Sequence, residues 1–283
     1  MFINPKTDYA FKKIFGSSES KDILISFLNA LIYDANPVIE DLEIINPNLP
    51  PIVIGLKDTY LDVKAKLRDG RLVIIEMQVL NVQSFGKRVL YNAAKTYACQ
   101  LQAREGYRML KPVIALTITD FNMFPDFEEF ISQFVYKEKT KNAIYPDNSI
   151  DLIFIELPKF SKEMSQLETL TDKWIYFLKY ARSLTRVPEN MDNIPEIHHA
   201  FEIANEANLT RDELEDLERR EQFIYDQQGA IALGREEGRE EGREEGMREK
   251  AIAIARQLLD RLGDETISQM TGLSVDEVQN LRS

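Results

Sequence analysis

The sequence predicts an α/β fold, a mixed β-sheet flanked by helices, followed by an all-helical C-terminal region. Three observations carry that reading. Val73-Ile74-Ile75-Glu76-Met77-Gln78 and Pro112-Val113-Ile114-Ala115-Leu116-Thr117-Ile118 are apolar runs of strand length, and the second is nearly continuous, as expected of a central strand covered on both faces. Between them, Phe85 to Glu105 holds good helix formers with apolar positions three and four apart, the pattern of a crossover helix joining neighbouring parallel strands. Beyond Pro188 the composition turns helical and acidic.

Taken in order, Phe11, Ile14 and Phe15, then Ile23, Leu24, Phe27, Leu28 and Leu31, keep a helical spacing that breaks near Gly16. Two short helices therefore open the chain, with Ser20 as N-cap of the second. Asn46-Pro47-Asn48-Leu49-Pro50-Pro51 reads as a loop, because proline removes a donor and restricts the residue before it. Strands are predicted at about 41–45, 59–67 and 71–79, and Asp69-Gly70 supplies the positive φ that a hairpin turn between the last two requires. The crossover helix should stop before Gly106, acting as its C-cap. Strands follow at about 130–137 and 150–157, then a helix marked by Trp174, Phe177, Leu178 and Leu184 that packs on the sheet.

The expected organisation is a domain over 1–185, a helical extension over 186–233, a repeat segment over 234–250 and a small helical tail over 251–283. Thr210-Arg211-Asp212-Glu213 has the form of a capping box before a long charged helix. Gly234-Arg235-Glu236-Glu237 then recurs from Gly238 and from Gly242. A period of four advances about 400° around a helix, so glycine, arginine and glutamate form slowly winding stripes. Such stripes suit close approach and charge pairing between copies, and a homo-oligomer assembled through the C-terminal helices is expected; the alternative is a solvated linker. In the tail, a helix over Ile252–Leu262 stops at Gly263, and two short helices flank Gly272-Leu273-Ser274 in a helix-turn-helix-like pattern. Asp276 and Glu277 open the second of these, which favours docking or oligomerisation over DNA reading.

Composition narrows the function. No apolar stretch reaches the roughly 18 residues of a membrane span, and the N-terminus lacks the pattern of a signal peptide, so a cytoplasmic protein without membrane contact is expected. Cys99 is the single cysteine, which excludes an internal disulfide; it is expected to be a buried small hydrophobe. His198 and His199 are adjacent and point apart on a helix, so neither zinc nor Cys-His chemistry is supported, and no phosphate-binding P-loop occurs. The net charge of −12 argues against a nucleic-acid partner, but lysine and arginine cluster within the first 110 residues while acidic residues dominate beyond about 185.

The hairpin carries the candidate chemistry. Alternation puts Asp62, Lys64 and Lys66 on one face of the first strand and Glu76 and Gln78 on one face of the second, so the turn brings Asp62 beside Glu76 and Gln78. Two carboxylates at a strand end are hard-oxygen ligands suited to Mg²⁺. Gln78 can orient a water but cannot act as a base. Arg88, Tyr91 and Lys95, three and four apart, are predicted to line the same cleft and contact phosphate, with Lys95 supplying catalytic charge. Asp8 and Lys12 lie one turn apart and read as a surface ion pair or as further site residues.

An Asp on one strand, a short turn, then Glu-x-Gln closing an apolar strand resembles the PD-(D/E)XK nuclease core. The opening Asn4-Pro5-Lys6-Thr7-Asp8-Tyr9-Ala10-Phe11-Lys12-Lys13-Ile14-Phe15-Gly16 and the segment Arg88-Val89-Leu90-Tyr91-Asn92-Ala93-Ala94-Lys95 are similar to the Rpn family, the recombination-promoting nucleases and transposase-like proteins of bacteria. The likeness covers roughly the first 120 residues. Leu61 stands where the superfamily's name has proline, and Gln78 where lysine is more usual, although Glu-x-Gln is common among Rpn-like sequences. The resemblance implies a restriction-endonuclease-like fold, Asp8 as a further acidic site residue, and a DNA endonuclease using Mg²⁺, with Mn²⁺ as a substitute, in recombination or in defence against mobile elements and phage. Two alternatives stay open: a catalytically silent nuclease-fold protein working as an oligomeric binding or regulatory module, and a transposase.

Overall fold

A computed structural model describes residues 1–49, 59–102, 104–147 and 149–282. Pro50 and Pro51 of the predicted loop lie outside the described residues. The chain divides into two units, Met1–Ile224 and Tyr225–Ser283.

The first unit opens with α1 (Asp8–Phe15) and α2 (Lys21–Ile32). The Thr7 hydroxyl accepts the Ala10 N–H to start α1, and the Gly16 N–H closes it on the Lys12 carbonyl. Ser20 precedes α2 without capping it by its side chain. Its hydroxyl turns instead to the Lys13 carbonyl at 3.5 Å, and Ser17 caps the 3₁₀ turn between the two helices.

Next come β1 (Leu42–Ile45), β2 (Asn48–Leu49), β3 (Thr59–Tyr60), β4 (Val63–Leu67) and β5 (Leu72–Gln78). After α3 (Phe85–Ala98) follow β6 (Val113–Thr119), β7 (Ile131–Phe134) and β8 (Ile150–Glu156). The main sheet has the order β1-β4-β5-β6-β8-β7, with β5, β6 and β8 parallel and the other pairings antiparallel. This is the predicted mixed sheet, and α3 is the predicted crossover between parallel neighbours. Gly70 takes φ 91° in the β4–β5 turn, the left-handed conformation that only glycine adopts cheaply.

Four local predictions need correction. Residues 59–67 are not one strand: the chain bends at Leu61 and Asp62, so β3 pairs with β2 in a separate two-stranded sheet while β4 enters the main one. For the same reason the predicted loop at 46–51 contains β2, whose Leu49 is buried. The crossover helix ends at Ala98 rather than Glu105, because the Gln100 amide exchanges two hydrogen bonds with the backbone of Lys111 (2.8 and 2.9 Å) and turns the chain back toward β6. Gly106 accordingly precedes a short 3₁₀ turn at Tyr107–Met109. Cys99 is exposed, since it lies past the last buried residue of α3, Thr96, where the helix has left the sheet.

One sheet face presents Val73, Ile75 and Met77 with Ile114, Leu116 and Ile118 to the main core beneath α1, α2, α4 (Leu170–Tyr180) and α6 (Pro195–Ile203). A short helix, α5 (Glu189–Asp192), precedes α6. Phe15, Phe27 and Trp174 meet there at centroid distances of 4.5–5.9 Å. Each such fully buried side chain contributes about 1.5–3 kcal/mol by removal from water. The other face carries Leu72, Ile74, Val113 and Ala115 against Ala93 of α3.

Helix α7 (Arg211–Leu258) begins in the predicted capping box: the Glu213 N–H donates to the Thr210 hydroxyl, and the Thr210 N–H to the Glu213 carboxylate. The Gly-Arg-Glu-Glu segment is helical, and a Cβ added at Gly234, Gly238, Gly242 or Gly246 would meet open space. In the second unit, α8 (Asp264–Thr271) and α9 (Val275–Asn280) pack Ile267, Leu273 and Val278 around Ala255. Gly272 turns between them at φ 78°, and Ser274 with Glu277 forms a capping box on α9. No described helix is long and apolar enough to cross a membrane.

Candidate active site

The strand period that buries Val73, Ile75 and Met77 sends Glu76 and Gln78 to the face covered by α3. Two residues on α3, one turn apart, meet them. Arg88 Nη2 donates to Glu76 Oε1 and to Gln78 Oε1, each at 2.6 Å, and Asn92 Nδ2 reaches Glu76 Oε2 at 3.5 Å. The Gln78 amide nitrogen donates to the Leu80 carbonyl at 2.7 Å, which turns its oxygen toward Arg88. Arg88 also lies over the Phe85 ring, 5.0 Å from its centroid.

Asp62 sits one residue before β4, where the register Val63↔Ile75 continues to Asp62 opposite Glu76. Its N–H donates to the Ile75 carbonyl at 3.2 Å, and its Oδ2 accepts the Met77 N–H at 2.7 Å. The bend there carries the carboxyl group toward α1. It hydrogen-bonds Asp8 and lies 3.5 Å from Lys12 Nζ, while Lys12 pairs with Asp8 at 2.5 Å. Arg220 of α7 approaches Asp8 from the other side at 3.3 Å.

The charge in this group is unevenly placed. Burial, then the hydrogen bond with Asp8, pushes the Asp62 carboxyl up to about 8, against the Met77 N–H and Lys12. Burial also opposes the charge on Asp8, but hydrogen bonds with Asp62 and Lys12, and the charges of Lys12 and Arg220, hold it below its usual range. Lys12 rises despite burial because two carboxyl groups face it. Lys12 is closer to Asp8 than to Asp62, which favours the charged form of Asp8 over that of Asp62.

Of the residues singled out in the sequence, Asp62, Asp8 and Lys12 meet on the α1 side, and Glu76, Gln78 and Arg88 on the α3 side. Tyr91 lies exposed on the outer surface of α3. Lys95 departs from its expected place. It is buried and donates to the Leu49 carbonyl at 2.7 Å and the Thr59 hydroxyl at 3.2 Å, so it ties α3 to β2 and β3. Seven residues beyond Arg88 shift it about 10 Å along the helix axis, too far to share one strand end. Sequence reading missed Asn92 and Arg220. Asn92 had a signal, an amide one turn after Arg88 inside the buried stripe of α3. Arg220 had none, being 212 residues from Asp8.

A divalent ion fits the donor chemistry here. Oxygens of Glu76 and Gln78 converge on one cationic nitrogen, and Asp62 stands across the strand pair as a further oxygen donor. Among the described residues no three His, Cys, Asp or Glu side chains converge closely enough to hold an ion, so any such set is two carboxylates completed by an amide oxygen and water.

A mixed sheet with its acidic strand end beneath a crossover helix defines a PD-(D/E)XK nuclease-type fold. Residues 5–234 match the family described as PD-(D/E)XK nuclease family transposase, and the chain belongs to that family. Residues 248–283 match the C-terminal HTH domain of the Rpn/YhgA-like nuclease family. No curated protein and no solved structure matches the chain. Nucleases of this superfamily generally use divalent metals.

Proposed function

We propose that this protein is an endonuclease that hydrolyses DNA phosphodiester bonds with Mg²⁺, for which Mn²⁺ can substitute. The observation that supports this reading most is the convergence of Glu76 and Gln78 oxygens on a single cation, with Asp62 opposite Glu76 in the strand register. Asp62 and Glu76 would hold the ion. The chemistry a bound divalent ion supplies is polarisation of the phosphodiester and acidification of a water. The Gln78 carbonyl oxygen orients the attacking water; lacking a basic atom, it leaves the proton to a phosphate oxygen or to solvent. Lys12 and Arg88 would supply the cations that meet a phosphate, Asp8 pairs with Lys12, and Tyr91 is an exposed ring on α3, the helix that carries Arg88.

The tail described as an HTH domain favours a second DNA contact there, in place of the docking role that its acidic helix start suggested. The capping box and Arg248 already engage Glu277, which reduces its repulsion toward phosphate. Recombination or defence against mobile elements and phage is the biological setting this activity suits. The test is cleavage of plasmid DNA with Mg²⁺ by the purified protein beside Asp62→Ala and Glu76→Ala. Loss of cleavage in both variants is expected; equal cleavage by all three proteins overturns the assignment.

A further inference from the structure

We propose that Arg88 is a resident counter-ion of the metal site, filling the place of the divalent ion until that ion or a phosphate draws the guanidinium away. The inference rests on the metal-site reading above and adds a residue that sets when the site loads. One nitrogen, Arg88 Nη2, lies 2.6 Å from both Glu76 Oε1 and Gln78 Oε1, so a single positive atom bridges the two oxygens assigned to ion and water. An arginine serving only as a phosphate contact would point its fork outward. Here the fork points inward, spending two of its bonds on the site's own ligands.

The pose is also incompletely satisfied. Arg88 Nε is buried without a hydrogen-bond partner, and so is Asn92 Oδ1 beside it. A guanidinium in its best structural place pairs its buried donors, so the unpaired Nε marks a position the side chain can leave without losing a full network. It has somewhere to go. The Arg88 side chain is 39% exposed, whereas Glu76 is 15% exposed and fixed in β5, so the arginine is the movable partner. Glu76 left without a cation would be a poorly solvated charge, which makes exchange of one cation for another the low-energy route. An ion entering the site must therefore compete with Arg88, and its apparent affinity is reduced by the fraction of time the arginine is in place. Phosphate, by engaging the guanidinium, removes that competition, so DNA and ion load together.

Calorimetric titration of Mn²⁺ into the full chain without DNA tests this, using wild type, Arg88→Met and Lys87→Met. Lys87 is an exposed neighbour outside the site, so its variant removes the same charge at a distance from Glu76. Arg88→Met is expected to bind Mn²⁺ about tenfold or more tighter than wild type, with Lys87→Met unchanged. Its melting temperature should also rise more on adding Mn²⁺ than that of wild type. Unchanged or weaker binding in Arg88→Met, or equal tightening in Lys87→Met, overturns the proposal and leaves the metal site standing. Absence of binding in all three proteins overturns both readings. If Arg88→Met fails to fold, Arg88→Lys serves: a shorter cation that cannot bridge both oxygens is expected to give intermediate affinity, and wild-type affinity counts against the proposal.

Discussion

Asp62 and Glu76 stand opposite each other across β4 and β5, yet each is accommodated by a different device. Asp62, bent toward α1, has its carboxyl raised because burial and the neighbouring Asp8 disfavour its charge. Glu76, beneath α3, meets a guanidinium at 2.6 Å. One half of the site disfavours the charge of its carboxyl group, and the other balances it with a positive side chain. Both devices lower the cost of keeping a carboxyl group in a low-dielectric pocket.

The most severe way to break this comparison is to remove each carboxylate in turn. Glu76→Gln and Asp62→Asn keep the size of the side chains, and each is expected to lower the rate of plasmid cleavage with Mg²⁺ by at least about 10²-fold. Cleavage surviving in one variant alone would show that the halves are not both needed.

Stability separates them next. In chelator, Asp62→Asn should be more stable than wild type, by an amount that grows with pH. An unfolded carboxyl titrates near 3.9, whereas Asp62 in the fold titrates near 8, so the folded chain holds a proton that the unfolded chain releases between these values. That contribution is complete below about pH 4 and is lost as pH rises through about 8. Melting temperatures of the two proteins should thus diverge from about pH 4 to pH 8 and run parallel above it; curves parallel throughout would show that the Asp62 carboxyl is not raised. Glu76→Gln, which leaves Arg88 without its charged partner, should instead lower stability across the same range.

The smallest expected effect tests how the α1 side is held. Hydrogen bonds from Lys13 and Tyr9 bring the Glu213 carboxyl down to about 2 and pin the start of α7 to α1. A depressed carboxyl contributes stability above its unfolded value and loses it as pH falls through the folded one. Glu213→Gln should therefore cost about 1 kcal/mol at neutral pH, allowing for its partial exposure, and nothing near pH 2. Denaturant midpoints that differ equally at both pH values would remove the ion pair from the account.

Much of the fold was legible because local pattern and tertiary demand agree in it. The seven-residue strands β5, β6 and β8, the Asp-Gly turn and the crossover helix each follow from a run of side chains that can be buried in one way. The misreadings fall where a distant group overrides the local pattern. Continuity of the run from Thr59 to Leu67 suggested one strand, but the Met77 N–H captures Asp62 and breaks it. Gln100 ends α3 early through a bond to Lys111, eleven residues on. Lys95 shares a helix with Arg88 yet serves β2 and β3, because helical spacing reports which way a side chain faces and not how far along the axis its partner lies.

By itself the sequence determined the class of fold, the strand that carries Glu76 and Gln78, the turn that sets Asp62 opposite them, and the helix-turn-helix pattern of the tail. These are near-neighbour properties, fixed by side-chain period and by the few residues that tolerate a tight turn. Only the tertiary structure decided which charges meet, Lys12 and Arg220 at Asp8 and Arg88 at Glu76 and Gln78, and that burial raises the Asp62 carboxyl. Such partners come from elements far apart in the chain, and a carboxyl group's state depends on burial and on neighbouring charges that no local pattern encodes.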